Sequence, residues 1–162
     1  MKVAKFEKVS REQFDNDLFE IIGIKGSFYN DILLPKRATS GSAGYDFYIP
    51  FDIDIEPNEF IRIPTGIRVK IDDNYVLNLY PRSSLGFKYQ MTLANTTGII
   101  DSDYYHADNE GHIIVGIVNR GNKILSLKKG DRFVQGIFLA YYLAEEEHVE
   151  TKRTGGFGSS DN

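Results

Sequence analysis

The sequence predicts an all-β sandwich or barrel with a short N-terminal helical insert. Three observations carry that prediction. Short segments of alternating apolar and polar residues fill most of the chain. Gly, Pro, Asn or Asp separates each segment from the next, at the spacing of antiparallel turns. One stretch alone, after Ser10, carries a helix-start signal.

The elements follow in order. A first strand is expected at Val3 to Phe6. Ser10 with Gln13 forms a capping box ahead of Phe14, Leu18 and Phe19, which sit at helical spacing. Residues 10–31 then lead to Leu34-Pro35-Lys36-Arg37-Ala38-Thr39. Phe60-Ile61-Arg62-Ile63 runs to Pro64, and Gly66 leads into Ile67 to Ile71. Tyr75 to Tyr80, Gly111 to Val118, Lys123 to Leu127 and Phe133 to Leu143 complete the strands. There is no internal repeat and no linker, so residues 1–162 read as one domain.

Composition bounds the function. Of the 162 residues, 41% are apolar and 26% charged, as in an ordinary globular domain. No run approaches the roughly 18 apolar residues of a membrane span. The first fifteen residues lack the apolar core of a signal peptide. With no cysteine, no disulfide framework is possible, and a reducing cytoplasm is the expected location. A net charge of −4 argues against direct nucleic-acid binding. It leaves room for a small phosphorylated ligand, which a few Arg side chains and backbone N–H groups can hold. His106, His112 and His148 are scattered, so no zinc site is expected. No Walker loop, GxGxxG or GxSxG occurs.

Several segments can carry chemistry. In Pro81-Arg82-Ser83-Ser84-Leu85-Gly86, an Arg and two hydroxyls leave a strand together as an anion clamp, or else form a polar turn. Asn95 to Tyr104 reads NTTGIIDSDY. Its Asn amide can read a pyrimidine edge, and Asp101 beside Ile99 and Ile100 can act as a shielded general base. The plainer alternative is a hairpin with Asp101 and Asp103 as turn residues. Ala43-Gly44-Tyr45-Asp46 places a carboxylate where a strand begins. Gly130-Asp131-Arg132-Phe133-Val134-Gln135 enters another strand. In the tail from Thr154 to Asn162, Phe157 can stack on a base while glycines and hydroxyls meet phosphate. A free terminus is the alternative.

Five segments in one order, SAGYD, PRSSLG, NTTGIIDSDY, GDRFVQ and GGFGS, resemble the five motifs of the trimeric dUTP diphosphatase (dUTPase) family. The resemblance covers roughly Leu34 to Ser160. It implies a jelly roll or distorted β-barrel, assembled as a homotrimer with active sites shared between subunits. It implies hydrolysis of dUTP to dUMP and pyrophosphate with Mg2+ on the triphosphate, supplying dUMP for thymidylate synthesis and limiting uracil in DNA.

Carried over by position, Asp101 resembles the carboxylate that activates water at the α-phosphate. Tyr104 resembles the aromatic under the deoxyribose that rejects a 2′-hydroxyl. Asn95, with the main chain of Gly98, Ile99 and Ile100, resembles the uracil reader, and Ile114 adds main-chain contacts to the base. Arg82, Ser83, Ser84 and Gln135 resemble phosphate contacts. Asp46 resembles an acid that meets the metal through water. Phe157, Gly158 and Ser159 resemble a lid within residues 153–162, with Arg153, or alternatively Lys152, as its basic residue.

The chain also departs from the family pattern. Six residues, 105–110, stand between Tyr104 and Gly111 where the family usually has one. The N-terminus is longer. A rival reading is dCTP deaminase, similar in fold, but its catalytic Glu falls here at Gly116. A second rival is an idle trimer used for binding. The set from Arg82 through Asp101 to Phe157 speaks against idleness, and any added role would sit on 10–31 or 105–110.

Overall fold

The computed structural model describes residues 1–145 and Gly155. The strands are β1 (Ala4–Lys8), β2 (Lys36–Arg37), β3 (Tyr45–Tyr48), β4 (Ile53–Ile55), β5 (Phe60–Pro64), β6 (Ile67–Ile71), β7 (Tyr75–Pro81), β8 (Met91–Leu93), β9 (Gly98–Ile100), β10 (Ile114–Asn119), β11 (Leu125–Leu127) and β12 (Arg132–Ala140). Helix α1 spans Arg11–Ile22 and α2 spans Ser83–Tyr89. Short 3-10 turns occupy Tyr29–Asp31 and Ser102–His106.

Every strand pair is antiparallel. A five-stranded sheet runs β2-β3-β12-β7-β9, a three-stranded sheet runs β5-β10-β8, and β1-β6 and β11-β4 form two ribbons. Among the described residues no sheet closes on itself, so the mostly-β expectation holds without a barrel ring. The core draws from all of them. Phe47, Leu77 and Val134 meet Ile63, Ile117, Val69, Ile55 and Leu125, with Phe14 and Leu18 of α1 added. Burying such side chains contributes roughly 1.5–3 kcal/mol each.

Helix α1 begins where the sequence places it. The Ser10 hydroxyl accepts from the Gln13 N–H at 3.1 Å. Gly23 ends the helix in the left-handed region, φ 70°, and donates to the Phe19 carbonyl. Phe14 and Leu18 are buried, while Phe19 is about half exposed. The reciprocal half of the expected capping box is absent. Gln13 instead donates to Asp17, and the Ser10 backbone N–H goes to Glu110.

Three further expectations change. PRSSLG is a second helix rather than a polar turn, with Arg82 at its N-cap. Gly111 to Ile113 do not join β10, because the His112 N–H turns back to Asn109 and the Ile113 N–H goes to Ile67. The segment Asn95–Tyr104 is not a hairpin. β8 pairs with β10, placing Leu93 opposite Ile117, whereas β9 pairs with β7, placing Gly98 opposite Leu79. The chain therefore crosses from the three-stranded sheet to the five-stranded one, and the candidate site lies at that crossing.

Candidate active site

A cavity of about 530 Å³ opens where the two sheets meet. The three-stranded sheet supplies Phe60, Arg62, Leu93, Ile114 and Gly116, and the five-stranded sheet supplies Leu79 and Gly98 to Ile100. Strand alternation sorts β5: Phe60 and Arg62 face the cavity, while Ile61 and Ile63 pack toward the core. Gly116 pairs with Arg62. A Cβ there would stand 3.1 Å from the Phe60 ring and 3.3 Å from the Ala94 methyl. The position that would carry a deaminase Glu is thus a crowded backbone wall.

Among the described residues, Asp101 is the one carboxylate lining this cavity. It is half-buried at the N-cap of the 3-10 turn, and its carbonyl accepts from the Tyr104 N–H at 3.2 Å. Asn95 is exposed at the bend between β8 and β9, next to Thr96 in the left-handed region, φ 67°. Tyr104 is buried, at 6% exposure. Its hydroxyl donates to the His112 carbonyl at 2.8 Å and accepts from the Asn109 amide at 2.9 Å. The ring therefore faces the cavity with the hydroxyl held behind it.

A second cluster forms across β3, β12 and β7. Asp46 is buried, with one oxygen 3.2 Å from Arg82 Nε and the other accepting from Arg132 Nη1 at 3.1 Å. The register sets Gln135 opposite both Asp46 and Tyr80, and its amide donates to the Pro81 carbonyl at 3.5 Å. Two guanidiniums held on one carboxylate leave net positive charge suited to an anion. Ser83 and Ser84 follow, exposed, at the start of α2.

Sheet pairing thus unites Asp46, Arg82 and Gln135, while Asn95, Gly98, Ile99, Ile100, Asp101, Tyr104 and Ile114 share the cavity. Neither Arg82, Ser83, Ser84 nor Gln135 lines that cavity. Arg153, its alternative Lys152, Phe157, Gly158 and Ser159 lie outside the described residues. Sequence reading passed over Arg132, Phe60 and Arg62. Arg132 stood in GDRFVQ, but its partner Asp46 becomes visible only through the β3–β12 register.

No group of three or more His, Cys, Asp or Glu among the described residues is placed to hold a metal. Asp46 has both oxygens engaged by arginines. Asp46 therefore offers no open oxygen as a direct ligand, and a hard cation at this surface would have to be held mainly by phosphate oxygens and water.

The dUTPase family profile matches residues 30–161. This chain belongs to the dUTPase family. A deoxyuridine 5′-triphosphate nucleotidohydrolase of Lactococcus lactis subsp. lactis (strain IL1403) is 40% identical over 132 residues, 80% of this chain and 88% of the relative. The crystal structure of dUTPase from Streptococcus mutans superposes with a TM-score of 0.68 at 31% identity, covering 86% of this chain and 98% of the other. A mutant dUTPase from phage phi11 of S. aureus, described with a coordinated structural Mg(II) ion, shares the fold. Its TM-score is 0.66 at 20% identity, with 93% and 98% covered. The family match begins after α1, which precedes residue 30.

Proposed function

We propose that this dUTPase-family protein hydrolyses dUTP to dUMP and pyrophosphate in the cytoplasm. One observation carries the reading. The cavity brings the carboxylate of Asp101 together with the Asn95 bend and the Tyr104 ring. Asn95 and the main chain of Gly98, Ile99, Ile100 and Ile114 hold the uracil edge by donor and acceptor pairing. Tyr104 packs under the deoxyribose and leaves no room for a 2′-hydroxyl. Asp101 takes a proton from water as its oxygen attacks the α-phosphorus. The bond from that phosphorus to the α,β-bridging oxygen breaks, and pyrophosphate leaves with the electron pair.

The triphosphate needs positive charge, and Arg82 with Ser83, Ser84 and Gln135 provides donors for it. Because those residues line a different surface from the cavity, the reading makes each site from two or more subunits of a homotrimer. Asp46 would help hold Mg2+ through water, and the ion would supply positive charge to offset that of the phosphates. The lid of residues 153–162, with Phe157, Gly158 and Ser159, closes the site, and Arg153, or alternatively Lys152 just before it, is its basic residue. The product supplies thymidylate synthesis, and its formation keeps uracil out of DNA. Pyrophosphate release from dUTP, measured beside dTTP, dCTP and UTP, tests the proposal.

A further inference from the structure

Tyr104 is held by residues that do not touch the cavity. Its hydroxyl sits between the His112 carbonyl, at 2.8 Å, and the Asn109 amide, at 2.9 Å. Asn109 is itself fixed, since its side-chain oxygen accepts from the Gly111 N–H and its carbonyl accepts from the His112 N–H. The turn is closed further by Ala107 N–H to the Tyr104 carbonyl and Glu110 N–H to the Ala107 carbonyl. Gly111, φ 69°, is required there: a Cβ would stand 2.6 Å from the Tyr104 carbonyl oxygen.

His112 is locked from the other side. It is fully buried, and its Nε2 accepts the Gly66 N–H at 2.8 Å. Nε2 therefore carries no proton, so Nδ1 carries it and donates to Asp17 on α1. Asp17 also accepts from Gln13. Glu110 then grips the start of the same helix, taking both the Ser10 N–H and the Ser10 hydroxyl at 2.7 Å. Residues 105–112 and α1 are thus one hydrogen-bonded unit, and the Tyr104 hydroxyl is its inner end.

We infer that Asn109, and Asp17 acting through His112, are positioning residues that hold the Tyr104 ring against the sugar and thereby set selection of deoxyribose over ribose. This rests on the sugar-packing role proposed above for Tyr104. A ring anchored at its far end cannot retreat to admit one more oxygen. Freed of Asn109 or of the His112 anchor, it can.

The test is calorimetric binding of the imido analogues of dUTP and UTP to the full chain, with hydrolysis of dUTP and UTP alongside. Wild type should bind the deoxy analogue more tightly. Asn109→Ala should shrink the ratio of deoxy to ribo affinity by about tenfold, within the range a single group in a packed pocket controls. The gain should appear on the ribo side. Asp17→Ala should do the same, while Asp17→Asn, which retains an acceptor for His112, should keep the wild-type ratio. A merely structural role would weaken both analogues alike and leave the ratio fixed, which overturns the inference. If Asp17→Ala fails to fold, Asn109→Ala decides. If wild type itself binds both analogues equally, the sugar role of Tyr104 falls and the inference with it. A selective wild type with unaltered variants sinks the inference alone.

Discussion

Asp101, half-buried just after the edge strand β9, and Asp46, buried within the interior strand β3, have different surroundings. Asp46 has Arg82 and Arg132 on its two oxygens, so it organises charge. Asp101 stands at the cavity wall, the position the proposed general base needs. Replacing Asp101 by Asn keeps shape and removes the proposed base. Turnover should fall by about two to four orders of magnitude, the usual weight of a general base, while the dUTP imido analogue still binds. Retained turnover in a single-turnover assay would remove Asp101 from the role. Residue types and order were legible here because motif residues cluster along the chain. The Arg132–Asp46 contact was not, since it joins residues 86 apart through strand register alone.

At the scale of elements, the strands were read most directly. β6 and β7 fall where alternation puts them, because each has one face in the core. α1 was legible from Ser10 and the Phe14–Leu18 spacing. α2 was not: Ser83, Ser84 and Gly86 are poor helix formers, and tertiary context overrides their preference. The docking of α1 was also hidden, since Ser10 finds Glu110 a hundred residues away. That docking gives a pH signature. The hydrogen bonds from the Ser10 hydroxyl and N–H hold Glu110 below its ordinary value. Burial pushes Asp17 up, but hydrogen bonds from His112 and Gln13 leave it lowered. A carboxyl lowered on folding contributes stability that is complete above its unfolded value and is lost as pH falls through its folded value. The melting temperature should therefore drop as the solution is acidified through the ordinary carboxylate range and below. Glu110→Gln should make that acid limb shallower. An unchanged limb would show that the Ser10–Glu110 contact adds nothing to folding.

For the whole molecule, the two surfaces must be joined. The cavity holds the proposed base, sugar and water residues, and the arginine cluster holds the phosphate donors, but on one chain they line different surfaces. The proposed homotrimer with composite sites would join them, and its mass should be three times the 18.4 kDa of the chain. Exposed Phe60, Ile99 and Phe87, the last at 92%, offer apolar surface for such contacts. Two variants decide whether the sites are shared. Asp101→Asn and Arg82→Ala should each be nearly inactive. Unfolded, mixed and refolded together, they should regain part of the activity, because some sites then combine an intact Asp101 with an intact Arg82. No recovery from a mixture that assembles normally would confine each site to one chain. Assembly was implied only by the family resemblance, and no single-chain pattern of periodicity or charge encodes it.

On the proposed reading, the Asn95–Tyr104 crossing selects and hydrolyses dUTP. Pyrophosphate release measured on dUTP, dTTP, dCTP and UTP with Mg2+ tests it most directly. Release should be rapid from dUTP and far slower from the other three. Equal rates on all four, or preference for any of the others, would contradict it.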